Sequence, residues 1–72
     1  MKNFPPIHYT DRDVALMVRI AAHDSIQRLT ELSHTPAADL QLIAAGERRA
    51  SAGVLAAFEL QPNARGYTWQ IR

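Results

Sequence analysis

Residues 25–46 read Ser25-Ile26-Gln27-Arg28-Leu29-Thr30-Glu31-Leu32-Ser33-His34-Thr35-Pro36-Ala37-Ala38-Asp39-Leu40-Gln41-Leu42-Ile43-Ala44-Ala45-Gly46, and this stretch decides the fold. Asp24 or Ser25 can accept from a free first-turn amide and cap a short helix that carries Ile26, Leu29 and Leu32 on one face. Ser33-His34-Thr35 then makes a tight turn. Thr35-Pro36 restarts the helix, as a hydroxyl cap followed by a proline whose missing N–H costs nothing in the first turn. The next helix runs from Pro36 to Ala45 and buries Leu40, Ile43 and Ala44. Gly46 stands where a left-handed residue ends it. Two short helices joined by a tight turn form a helix-turn-helix.

Upstream, Pro5-Pro6 prevents a helix, so residues 1–9 read as an extended arm. Thr10 and Asp13 have capping-box spacing for a helix with Val14, Met17, Val18 and Ala21 as its buried stripe, widened by Leu16 and Ile20. Downstream, Ser51 caps a fourth helix that carries Val54, Leu55 and Phe58 inward, although Gly53 weakens it by about 1 kcal/mol relative to alanine. Residues 61–66, Gln61-Pro62-Asn63-Ala64-Arg65-Gly66, are turn chemistry. Tyr67-Thr68-Trp69-Gln70-Ile71-Arg72 alternates apolar and polar and reads as a strand. Its partner is the N-terminal arm, the same tail of a second subunit, or another protein.

At 72 residues the chain is one domain: arm 1–9, helical core 10–60, turn and strand 61–72. A chain this short buries only about 60% of its unfolded surface, and dimerisation is a common remedy. It has no cysteine, hence no disulfide or thiolate metal site. His8, His23 and His34 lack metal-ligand spacing. His23-Asp24-Ser25 holds triad residue types, but contiguous residues cannot adopt triad geometry. With no phosphate loop and no nucleophile–base pair, the expectation is a non-enzyme without cofactor or metal. The longest nearly apolar run, Val14 to Ala22, contains Arg19 and is too short to cross a bilayer, so a cytoplasmic protein without membrane contact is expected. The formal net charge is +1, low for a nucleic-acid binder.

From Ser25 to Leu60 the chain resembles the phage Cro and repressor-like helix-turn-helix family. Leu32-Ser33-His34-Thr35-Pro36 looks like the family's Leu-Gly-Val-Ser-Pro turn. The recognition helix ending at Gly46, the Arg48-Arg49 link and the following Val54-Leu55 helix are similar too. The resemblance implies an all-α, lambda-repressor-like fold of four to five short helices, with an extended N-terminal arm and a short C-terminal β-strand. It also implies a dimeric transcriptional repressor of phage or mobile-element origin that binds operator DNA. Gln27, Arg28, Arg48 and Arg49 would hold phosphates, and Thr35 and Gln41 would touch bases beside His34 of the turn. Tyr67, Trp69 and Ile71 would pair across a two-fold axis and set the half-site separation.

The departures matter. Ser33 stands at the family's turn glycine, and His34 at the apolar residue after it. Between Pro36 and Ala45 there is no Arg, Lys or Asn, and Asp39 has the wrong sign for phosphate. The alternative reading is therefore a helix-turn-helix scaffold that binds a host or phage protein as an inhibitor or antirepressor.

Overall fold

The computed structural model describes residues 8–69. Its elements in chain order are α1 (Asp11–Ser33), α2 (Ala37–Ala44), α3 (Ala52–Ala57), β1 (Leu60–Asn63) and β2 (Gly66–Trp69). Three helices and a two-stranded antiparallel sheet make this a small α+β fold, and the expectation of an all-α fold with four to five helices is corrected. Two local events account for the difference.

The first lies inside α1. Thr10 opens the helix with both capping-box bonds, Asp13 N–H to Thr10 Oγ1 at 3.1 Å and Thr10 N–H to Asp13 Oδ2 at 2.9 Å. The expected second helix does not stand apart but continues α1 across a single extended residue, Ser25, at φ −160° and ψ 100°. Ser25 Oγ accepts from Arg28 N–H at 3.2 Å and so re-caps the helix at the break. Of the two caps the sequence offers there, Ser25 is the one used.

The second event is at the C-terminal side. Gln61, Pro62 and Asn63 form β1 rather than a turn, in register with β2 as Leu60 opposite Trp69, Gln61 opposite Thr68, Pro62 opposite Tyr67 and Asn63 opposite Gly66. Tyr67 gives both its backbone groups to Tyr9 on the other side, with Tyr9 N–H to Tyr67 O at 2.7 Å and Tyr67 N–H to Tyr9 O at 2.8 Å. In an antiparallel ladder the pair Pro62–Tyr67 is therefore non-hydrogen-bonded, and the missing proline N–H leaves nothing unmet. Asn63 Oδ1 accepts from Arg65 N–H at 2.8 Å and tightens the two-residue turn Ala64-Arg65. Gly66 has φ +135°, and a Cβ there would collide with the Tyr9 carbonyl oxygen. Only glycine lets the arm lie this close.

Both ends of α2 differ in detail from the expected start and stop. The helix begins at Ala37, with Pro36 as an N-cap that makes no side-chain bond. Its C-terminus is a Schellman turn, in which Glu47 N–H reaches Leu42 O at 2.9 Å and Gly46 N–H reaches Ile43 O at 3.0 Å, with Gly46 at φ 79°. The left-handed residue between α1 and α2 is His34, at φ 51° and ψ 36°, one position beyond Ser33 where the resemblance puts its glycine.

The core holds Val14, Val18, Leu29, Leu40, Ile43, Val54, Leu55, Leu60 and Tyr67. Leu16, Ile20 and Leu32, expected inside, are 51%, 63% and 58% exposed. Leu16 and Ile20 fall on the side of α1 opposite Val14 and Val18, so no neighbouring element can cover both faces. Among the described residues, no helix is long and apolar enough to cross a membrane.

At the centre, the end of α1 meets the start of α3. A Cβ on Gly53 would collide with the Ser33 carbonyl oxygen. Gly53→Ala is therefore expected to destabilise by about 1–3 kcal/mol through overpacking, although alanine is the better helix former. Urea unfolding checks this; a stabilised variant would mean that the two helix ends do not touch.

Candidate nucleic-acid interface

The helix-turn-helix unit runs from the Ser25 break to Ala44. Its inward positions are Leu29, Ser33, Thr35, Leu40 and Ile43, all buried. Gln27, Arg28, His34, Ala37, Ala38 and Gln41 are exposed. This outward strip follows from helical periodicity, since Ala37, Ala38 and Gln41 share the face of α2 opposite Leu40 and Ile43.

Thr35 lies differently from its expected role at base edges. It is 6% exposed. Its hydroxyl donates to Ser33 O at 3.0 Å and shares a 3.0 Å bond with Ser51 Oγ, which accepts from Val54 N–H at 3.2 Å. Ser33 Oγ in turn donates to Leu29 O at 2.6 Å. The Ser33 carbonyl and the Thr35 and Ser51 hydroxyls thus join the end of α1 to the start of α3, and as placed the Thr35 hydroxyl is not offered to a groove. Among the side chains expected to read bases, Gln41 alone faces outward.

The two link arginines are both engaged. Arg48 pairs with Asp39 across the Gly46 turn, Nη1 to Oδ1 at 2.7 Å. Both side chains stay half exposed, so the pair contributes at most about 1 kcal/mol and opens readily. Arg49 turns the other way, toward a cluster with Tyr67 and Asp11. Its Nη2 donates to the Tyr67 hydroxyl at 3.4 Å, and its Nε lies 3.7 Å from Asp11 Oδ1. Tyr67 Oη itself donates to Asp11 Oδ1 at 2.5 Å. The Tyr67 hydroxyl, first, and the Asp11 carboxylate, second, hold the Arg49 proton more tightly than usual. Arg28 has no ion-pair partner among the described residues and remains available.

An open cleft of about 670 Å³ lies between the first half of α1 and the α2–α3 link, rimmed by Arg12, Leu16, Arg19, Glu47, Arg48 and Arg49. Arg12 and Arg19 read from sequence as ordinary surface. Nothing in local spacing could have placed them beside Arg48 and Arg49, because the cleft is closed by the packing of α1 on α2. Among the described residues, no cluster of His, Asp or Glu could hold a metal ion.

The expected dimer strand is committed within its own subunit. Tyr67 is 4% exposed and packs in the core between β1 and Tyr9, so it is not available to a second chain. Trp69 is half exposed and sits edge-on to Tyr9, with ring centroids 6.2 Å apart. Ile71 lies outside the described residues. No family model, curated protein or solved structure matches this chain.

The Asp11 hydrogen bond, and after it burial, push the Tyr67 hydroxyl above the usual tyrosine value, with Arg49 opposing. A raised folded-state value means stability that is complete below the unfolded tyrosine value of about 10 and is lost as pH rises through the folded one. Unfolding midpoints measured against alkaline pH should fall across that window in the parent chain. Tyr67→Phe should flatten the fall; an unchanged pH profile would show that the bond does not form.

Proposed function

We propose that the chain binds double-stranded DNA as a helix-turn-helix regulator of the Cro kind, with α2 entering the major groove. The observation that carries this reading is the outward strip of α2. Ala37, Ala38 and Gln41 present a narrow, nearly flat face free of bulky side chains, with Arg28 before it and Arg48 after it. A helix so trimmed can approach base edges closely, where the alanines meet thymine methyl groups and Gln41 can form a paired bond to adenine. Arg28 and Gln27 supply phosphate contacts on one flank. Arg48 supplies them on the other once it leaves Asp39, an exchange of one exposed anion for another. Arg49, held by Tyr67 and Asp11, is left out of this set, as is the buried Thr35.

Recognition of this kind draws little affinity from charge. The net charge is +1, and Asp39 stands on the groove helix itself. Specific binding then depends on fit, and nonspecific binding is weak at physiological salt.

Fluorescence anisotropy with a nonspecific duplex, titrated over salt, tests the reading. Affinity should fall with rising salt along the shallow slope that a few phosphate contacts set, and Arg28→Ala with Arg48→Ala together should remove most of it by lowering the slope of log affinity on log salt by about two. Asp39→Asn should tighten binding several-fold, because it frees Arg48 and removes an anion from the groove helix. No binding at low salt overturns the proposal, and the protein-binding inhibitor then takes its place.

A further inference from the structure

The first half of α1 carries an apolar strip on the side turned away from the core. Leu16 and Ile20 are more than half exposed there. With about 100° of rotation per residue, the charges around them separate by sign. Arg12 and Arg19 fall on one edge of the strip, with His23 beside them. Asp13 and Asp24 fall on the other. Arg12, Arg19 and Asp24 have no ion-pair partner among the described residues, and one Asp13 oxygen is used in the helix cap.

We propose that this face docks a second copy of the chain, with the two α1 helices parallel about a two-fold axis that runs along them. The charge pattern selects both partner and direction. A two-fold axis along the helices lays the cationic edge of each copy against the anionic edge of the other. Leu16 then meets Leu16 of the partner subunit, and Ile20 meets Ile20 of the partner subunit. Arg19 comes opposite Asp24 of the partner subunit, five residues on, the offset at which flanking charges pair across a parallel helix seam. An antiparallel arrangement would set cation against cation and anion against anion along both edges. A self-complementary patch of this kind is what an isologous interface requires.

The interface is independent of the sheet, whose central strand is already paired on both sides. It is also independent of DNA binding, so its test contains no DNA. The strip spans only about three helical turns, so the association is weak and concentration-dependent.

Sedimentation equilibrium over a concentration series should show the mass rising from 8.0 kDa toward twice that value. Leu16→Glu with Ile20→Glu should stay monomeric at every concentration. Both positions are exposed, so the circular dichroism of that variant should match the parent. Arg19→Asp or Asp24→Arg alone should each raise the dissociation constant roughly tenfold, through lost attraction and new repulsion on both sides of the axis. The two combined should restore it. A parent chain that is monomeric throughout, or a double reversal no tighter than the single ones, overturns the proposal.

Discussion

The close seating of the Ser33 carbonyl on Gly53 is the contact on which the rest of the structure depends. It brings the end of α1 within reach of the start of α3, although the two lie on either side of α2 in sequence. The Thr35 hydroxyl then donates to that carbonyl and bonds Ser51 Oγ, while the Ser33 hydroxyl turns back to Leu29 O. Because Ser33 and Thr35 are buried, a lost bond there would leave a partner unmet, which makes the junction specific as well as tight. The same junction fixes α2, which is held by Leu40 and Ile43 against α1 and returned to α3 by the Schellman turn. The outward strip of Ala37, Ala38 and Gln41 is a consequence of that fixing.

A second consequence is electrostatic. Two acidic residues on this side of the molecule are matched by arginines, Asp39 by Arg48 and Asp11 by Arg49. The surface around α2 is consequently close to neutral in local charge. A protein with this pattern relies on shape and a few placed contacts more than on a long-range field. Arg28 stands outside these pairs, and so do Arg12 and Arg19 on the first half of α1. These unpaired arginines thus lie on separate faces of the helical part.

The small sheet closes the molecule. β2 is its central strand, flanked by β1 and by Tyr9 of the arm, and it brings Tyr67 into the core beside Leu60. Without this cover the bottom of a three-helix core of this length would be open to water. The Tyr67 hydroxyl emerges beside Asp11 and Arg49, so one side chain joins the sheet to the start of α1 and to the α2–α3 link.

Local chemistry by itself determined the helix ends that depend on neighbours in sequence. Thr10 with Asp13, Ser51 before α3 and Gly46 after α2 act as read, since a cap needs only residues within a turn of it. The break at Ser25 was legible for the same reason, although not that the helix would resume without a loop. Burial, strand pairing and charge pairing were decided elsewhere. Leu16, Ile20 and Leu32 have the composition of core residues, but a helix touched on one side only can bury one side only. Pro62 and Asn63 carry turn chemistry and still form a strand, because Tyr9, over fifty residues away in sequence, takes the hydrogen bonds on the far side of Tyr67. Thr35 has the look of a helix cap and a groove contact, and its hydroxyl is instead drawn inward by Ser51 across sixteen positions. The helix-turn-helix signal in residues 25–46 thus places two helical segments and a turn between them, while which side chains that turn leaves for a ligand follows from α3 packing onto it.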